Sequence, residues 1–206
     1  MTDLVWMTLA FLSGSIPYAV WVGYLILKRD IRRYGDGNPG AYNVFRAGGR
    51  ASGVVAGVLD ALKGAVPTYL VLHSLGPARV PGVAVAAIAG HAFSPWLRFR
   101  GGKAVAVSLG VWAALSTMVP AFWVLALALL VWLSLVRSHA WVVVLGFLTL
   151  GLWLFWRDSG IWLLSTWSGD MMILVWKHRH DLLREVPALR PWIRQRLPAA
   201  LRPSRR

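Results

Sequence analysis

Apolar residues in this chain fall in long, nearly unbroken runs rather than in the alternating or one-faced patterns of a soluble fold. Runs of roughly 16 to 24 residues recur from end to end, each able to cross or nearly cross a hydrocarbon core of ~30 Å at ~1.5 Å per residue. The spans read at residues 4–27, 51–73, 81–97, 104–119, 120–136, 140–156 and 161–176. In lipid every backbone polar group must bond within its own segment, so these runs, rich in Leu, Val, Ala and Trp, are predicted to be helices. The expected fold is an all-α integral membrane protein of about seven transmembrane helices. Residues 1–187 form the membrane domain, and 188–206 a basic tail.

Polar positions inside the spans refine this picture. Ser13-Gly14-Ser15-Ile16-Pro17 interrupts the first span, because Pro17 lacks the helix N–H. The interruption is either an ordinary membrane-helix kink or a break that shapes a site. Asp60 and Lys63 lie three apart on one face of the second span. An ionisable pair there costs several kcal/mol unless paired or wetted, so it is either a structural ion pair or part of a site. Ser116 to Pro120 leaves room only for a tight hairpin between the fourth and fifth spans.

Charge sets the orientation. The net charge is +14, yet only 15% of residues are charged and 57% are hydrophobic, with 13 Trp. Few soluble domains are this apolar. The basic residues concentrate in the stretches Lys28–Arg50, Arg98–Lys103, Arg137 and Lys177 onward, leaving Arg79 and Arg157 on the opposite side. The positive-inside tendency then puts the N-terminus outside and the C-terminus in the cytoplasm. Basic groups in short loops between apolar spans favour anionic lipid or an anionic substrate over nucleic acid. Met1 to Phe11 lacks the basic start of a cleavable signal, and the absence of Cys excludes disulfides and thiolate metal sites. In the tail, Arg190, Arg194, Arg196, Arg202, Arg205 and Arg206 read as an electrostatic anchor worth ~1 kcal/mol per residue near an anionic leaflet, with Trp192 at headgroup level.

Three inward segments carry the chemistry. In Asp30–Arg46, the glycines Gly35, Gly37 and Gly40 with Asn38 and Asn43 make a loop whose N–H groups can converge on an anion. Such a loop also serves as a plain turn. Arg46 and Arg50, four apart, would share a face if the second helix begins there. In Gly90–Lys103, Gly101-Gly102-Lys103 at a helix start offers free N–H groups, a positive helix end and an ammonium, a natural phosphate site or a basic interface turn. His91 within it is equally readable as structural. In Trp176–Asp181, His178 and Asp181 lie three apart and can face one site as an acid–base pair. No further inward carboxylate cluster supports a metal.

Together these segments resemble the bacterial acyl-phosphate:glycerol-3-phosphate acyltransferase family. The resemblance runs through Ser13–Pro17, the Asp30–Arg46 loop, Leu59-Asp60-Ala61-Leu62-Lys63-Gly64, Gly90–Lys103 and Lys177–Asp181. It implies a multi-pass protein of the bacterial inner membrane with its active site near the cytoplasmic surface. The implied reaction moves an acyl chain from acyl phosphate to the sn-1 hydroxyl of glycerol 3-phosphate, giving lysophosphatidic acid for phospholipid synthesis without a cofactor or metal. Asp36, Arg46, His178 and Asp181 would be catalytic. Gly35, Gly37, Asn38, Gly40, Asn43, Arg50, Gly101, Gly102, Lys103 and Ser138 would bind substrate.

The chain departs from the family pattern at the implied site. Asp36 stands where the family has Ser, Tyr42 where it has Thr, Ala104 where it has Gly and Asp181 where it has Asn, and Ser138 is what remains of a serine-rich stretch after Arg137. An anion beside a phosphate cradle is repulsive by about 1 to 4 kcal/mol, depending on solvation, unless it pairs with Arg46 or Lys103. Two rival readings follow: a non-catalytic relative that binds acyl phosphate or anionic lipid, and a small anion transporter built on interrupted helices.

Overall fold

The computed structural model describes residues 2–196, and these are helical apart from loops and one isolated bridge, Val136 to Leu189. The helices are α1 (Thr2–Ser15), α2 (Tyr18–Leu25), α3 (Ala41–Arg46), α4 (Arg50–Leu75), α5 (Val80–Ala92), α6 (Val105–Leu115), α7 (Ala121–Leu135), α8 (His139–Trp156), α9 (Ile161–Arg184) and α10 (Pro191–Arg196). Thr2–Leu25, Arg50–Leu75, Pro77–Leu97 and His139–Trp156 are long and apolar enough to cross a membrane, while α6 and α7 are shorter apolar helices. The tail arginines Arg202, Arg205 and Arg206 lie outside the described residues.

Side-chain placement suits lipid. Trp123, Leu127, Leu130, Leu152 and Phe155 face outward, whereas the interior holds Trp112, Phe147 and Leu154 together with the polar Thr166 and Asp170. Asp170 on α9 accepts from Ser108 Oγ at 2.6 Å and Trp112 Nε1 at 3.0 Å, so both its oxygens are satisfied inside the bundle. Small residues permit the tightest crossings. A Cβ on Gly14 or Gly90 would lie 2.0 Å from the Ala87 carbonyl oxygen or 2.1 Å from that of Phe11, which locks α1 against α5. A Cβ on Gly110 would come within 1.9 Å of the Ala61 carbonyl oxygen, so α4 and α6 pack backbone to backbone.

The first span breaks at Ile16–Pro17, as the proline predicts. The carbonyls freed there find donors on other elements: Lys63 Nζ donates to Ile16 O at 2.8 Å and Ser94 Oγ to Ser15 O at 2.6 Å. The Asp60–Lys63 pair on α4, 2.8 Å apart and buried, therefore ties α4 to the break. Two details differ from the periodicity. The last helix continues past residue 176 to Arg184, because its polar end extends as helix beyond the apolar run. Arg46 and Arg50 end one helix and begin the next, with Ala47–Gly49 between them, so they do not share a face.

Candidate functional site

The loop after α2, the start of α6, the α7–α8 turn and the polar end of α9 meet at one end of the bundle around a cavity of about 690 Å³. Gly35, Asp36, Asn38, Gly40, Arg46, Lys103, His178 and Asp181 all line it, so residues from three distant segments share one space. Asp60 and His91 also reach it from α4 and α5, and Tyr42, Arg137, His139 and Glu185 complete the polar lining.

Lys103 sits at the centre of an ion triad. Its Nζ donates to Asp36 Oδ2 at 2.7 Å and to Asp181 Oδ2 at 2.6 Å. Asp36 Oδ1 accepts in turn from Asn43 Nδ2 at 2.9 Å and from the Asn38 N–H at 3.2 Å. Partial burial pushes the Asp36 carboxyl up, but the bond from Lys103 and the neighbouring amides outweigh it, and its pKa is lowered. Burial likewise disfavours the Lys103 ammonium, and the two carboxylates overcome it, raising its pKa. The loop holds this register because Gly35 adopts φ +60°, a conformation that favours glycine, and a Cβ there would lie 2.2 Å from Asn43 Oδ1.

The Lys103 loop is itself braced. Gly102 N–H donates to His91 O at 3.1 Å, and Lys177 Nζ donates at 2.9 Å to both Ala92 O and Gly101 O. Gly101 and Gly102 pack so closely on His91 that a Cβ on Gly101 would lie 2.0 Å from its carbonyl oxygen and one on Gly102 2.2 Å from its Nε2. Ala104 takes φ +67°, the left-handed region that suits the family's glycine, with its methyl fully buried in the core.

His178 is buried, and its Nδ1 lies 2.9 Å from Leu174 O. A carbonyl oxygen only accepts, so Nδ1 carries the proton and the neutral ring keeps its lone pair on Nε2. Arg46 lies over the Tyr42 ring at 5.9 Å, and Tyr42 in turn contacts His139 at the same centroid distance.

Six sequence-selected positions do not line the cavity. Asn43 is buried beneath Asp36 as its support, and Gly101 and Gly102 form the braced loop backbone. Ser138 is buried at the start of α8, while Gly37 and Arg50 are exposed outside the cavity. His139 and Glu185 were missed. Glu185 lies four residues beyond Asp181 on the same chain stretch, a spacing that could have found it.

A family model described as Glycerol-3-phosphate acyltransferase matches residues 4–187. The "Glycerol-3-phosphate acyltransferase" of Desulfovibrio desulfuricans is 39% identical over 193 residues, covering 89% of this chain and 82% of that protein. Two crystal structures of PlsY (YgiH), an integral membrane glycerol 3-phosphate acyltransferase, are also similar. Its glycerol 3-phosphate form superposes with a TM-score of 0.81 at 29% identity, over 89% of this chain and 92% of that one. Its lysophosphatidic acid form gives 0.76 at 28% identity, over 89% and 91%.

Proposed function

Since this chain belongs to the glycerol-3-phosphate acyltransferase family, we propose that it transfers an acyl chain from acyl phosphate to the sn-1 hydroxyl of glycerol 3-phosphate. The product is lysophosphatidic acid for phospholipid synthesis. The site works at the cytoplasmic face of the bacterial inner membrane, in a bundle of about seven spans with its N-terminus outside. The basic segment from Ala188 anchors that face to anionic lipid.

One observation carries this reading: Lys103, Arg46 and His178 come from separate segments and line a single cavity at one end of a membrane bundle. Acyl phosphate is a mixed anhydride with a good leaving group, so a covalent acyl-enzyme is unnecessary. The acceptor oxygen attacks the acyl carbonyl carbon, the carbon–oxygen bond to phosphate breaks, and phosphate departs with the electron pair. His178 Nε2 takes the hydroxyl proton and returns it to the leaving phosphate. The protein supplies proximity, orientation and charge. The Gly35–Gly40 loop cradles the donor phosphate, and Arg46 neutralises charge as it develops.

The decisive variant is His178→Gln in lipid-reconstituted protein. A general base contributes about 10²- to 10⁴-fold, so kcat should fall at least 100-fold with KM within about threefold of wild type. Turnover near the wild-type rate would overturn the role of His178. A binding-only relative is the second reading, favoured by the two carboxylates that occupy Lys103.

A further inference from the structure

One wall of the cavity is held by residues beyond the family match. Arg137 and His139, at the α7–α8 turn, and Glu185, just past α9, line that wall. After α9 the chain runs back across the turn and pairs with it at the Val136–Leu189 bridge. Arg137 N–H donates to Ala188 O at 3.1 Å, and Arg190 N–H to Leu135 O at 2.9 Å. Arg190 Nε donates to Leu133 O at 2.8 Å, and Trp141 Nε1 to Glu185 O at 2.6 Å. A helix leaves its last four carbonyls without intrahelical donors, and Arg190 caps two of them at the end of α7. The family match stops at residue 187, so Ala188, Leu189 and Arg190 make their bonds from outside it.

The segment that makes this latch suits a lipid surface. Leu183, Val186, Leu189 and Trp192 recur every third residue, and all four are exposed. Leu183 and Val186 are 86% and 80% exposed at the end of a membrane bundle, where large apolar side chains gain by entering lipid. Between residues 183 and 196 four arginines, Arg184, Arg190, Arg194 and Arg196, stand against one acid, Glu185. Apolar groups interleaved with guanidinium groups complement the boundary between acyl chains and headgroups of an anionic leaflet. Each basic group near such a leaflet strengthens attachment about fivefold. The latch consists of a few bonds at the protein surface, so its local stability is low, and whatever binds its docked form shifts it toward docking.

We propose that residues 183–196 form a strap that responds to anionic lipid. An anionic bilayer surface holds the strap's apolar and basic groups, which keeps its backbone bonds to the α7–α8 turn closed and Arg137 in the cavity wall. Resting on the acyltransferase reading, acyl transfer then rises with the anionic-lipid content of the bilayer.

The test places the full chain in nanodiscs of phosphatidylcholine, alone or mixed with phosphatidylglycerol. Hydrogen exchange over the peptides holding the Arg137 and Arg190 amides reads the latch, and palmitoyl transfer from palmitoyl phosphate to glycerol 3-phosphate reads the site. Phosphatidylglycerol should slow that exchange at least fivefold, the contribution of about one basic group, and raise kcat about threefold or more. Replacing Arg194, Arg196, Arg202, Arg205 and Arg206 by Gln should abolish both responses and leave turnover in phosphatidylcholine alone within about twofold of wild type. The same five positions as Lys should keep both responses, because the leaflet reads charge. Arg190→Pro deletes both Arg190 donors, so exchange at Arg137 should be fast in either lipid and kcat should no longer respond. Thermal unfolding in the same nanodiscs separates an open latch from a lost fold. Exchange that ignores phosphatidylglycerol, or a kcat response that survives in the Gln variant or in Arg190→Pro, would overturn the proposal. Lipid-dependent exchange that needs the arginines, in a protein that forms no lysophosphatidic acid, would keep the strap and sink the acyltransferase reading. An active enzyme whose exchange and kcat are the same in both lipids would do the opposite.

Discussion

Lys103→Ala removes the hub of the site, and its cost can be worked from the geometry. Both Oδ2 atoms lie within 2.7 Å of one Nζ, so they are at most about 5.3 Å apart. Two unit charges at ~5 Å repel by about 1 kcal/mol in water and about 3 kcal/mol at an effective dielectric of ~20. The carboxylates are 43% and 35% exposed, which places the penalty toward the lower end of that range. Two charge-assisted hydrogen bonds are lost as well, with water replacing part of each. A net destabilisation of ~2 kcal/mol is expected, or ~4 to 8 °C in Tm for a chain of this size. The pH profile gives the sharper test. Asp36's folded pKa is lowered, so its contribution is complete above its ordinary 3.8 and fades as pH falls through the folded value. Lys103's is raised, so its contribution is complete below 10.5 and fades as pH rises through the folded value. The Tm gap between wild type and variant, followed in detergent, should be flat from about pH 5 to 10 and narrow on either side. A gap that is absent at pH 7, or that persists undiminished at pH 3, would refute the triad as the origin of the effect.

Other variants probe the frame. Asp170→Asn should cost less than about 1 kcal/mol, because the Ser108 hydroxyl can turn to accept while the amide oxygen still serves Trp112. Asp170→Leu leaves both donors unpaired and should cost about 2 to 5 kcal/mol by thermal unfolding. Asp60→Leu strands the Lys63 ammonium and should cost about 3 to 5 kcal/mol, whereas Asp60→Leu/Lys63→Met should recover part of that; equal losses would contradict the pairing. Gly110→Val drives a branched side chain into the Ala61 carbonyl and should prevent α4 and α6 from closing, read as loss of a monodisperse peak on size exclusion.

Much of the frame was legible in the sequence because lipid leaves few choices. An apolar run must be helix, so α4, α7 and α8 begin and end within two residues of the predicted spans. The break at Pro17 was also readable, since no arrangement restores its missing N–H. Hydrophobicity says nothing about where a helix stops once it leaves lipid, which is why α9 outruns its span and α3 went unforeseen. At the site, motifs identified the charged residues but not their partners. Whether Asp36 and Asp181 repel phosphate or pair with Lys103 depends on a contact across 67 and 78 residues of sequence. His139 carries no motif, and only the fold brings it to the cavity.

The measurement closest to the central claim is transfer of labelled palmitoyl from palmitoyl phosphate to glycerol 3-phosphate by purified, lipid-reconstituted protein, with Arg46→Ala alongside. Stoichiometric release of phosphate with labelled lysophosphatidic acid, reduced at least thirtyfold in the variant, is the predicted result; such a loss corresponds to ~2 kcal/mol of transition-state stabilisation. Wild-type protein that binds both substrates and forms no lysophosphatidic acid would contradict the account and mark the chain as a binding relative.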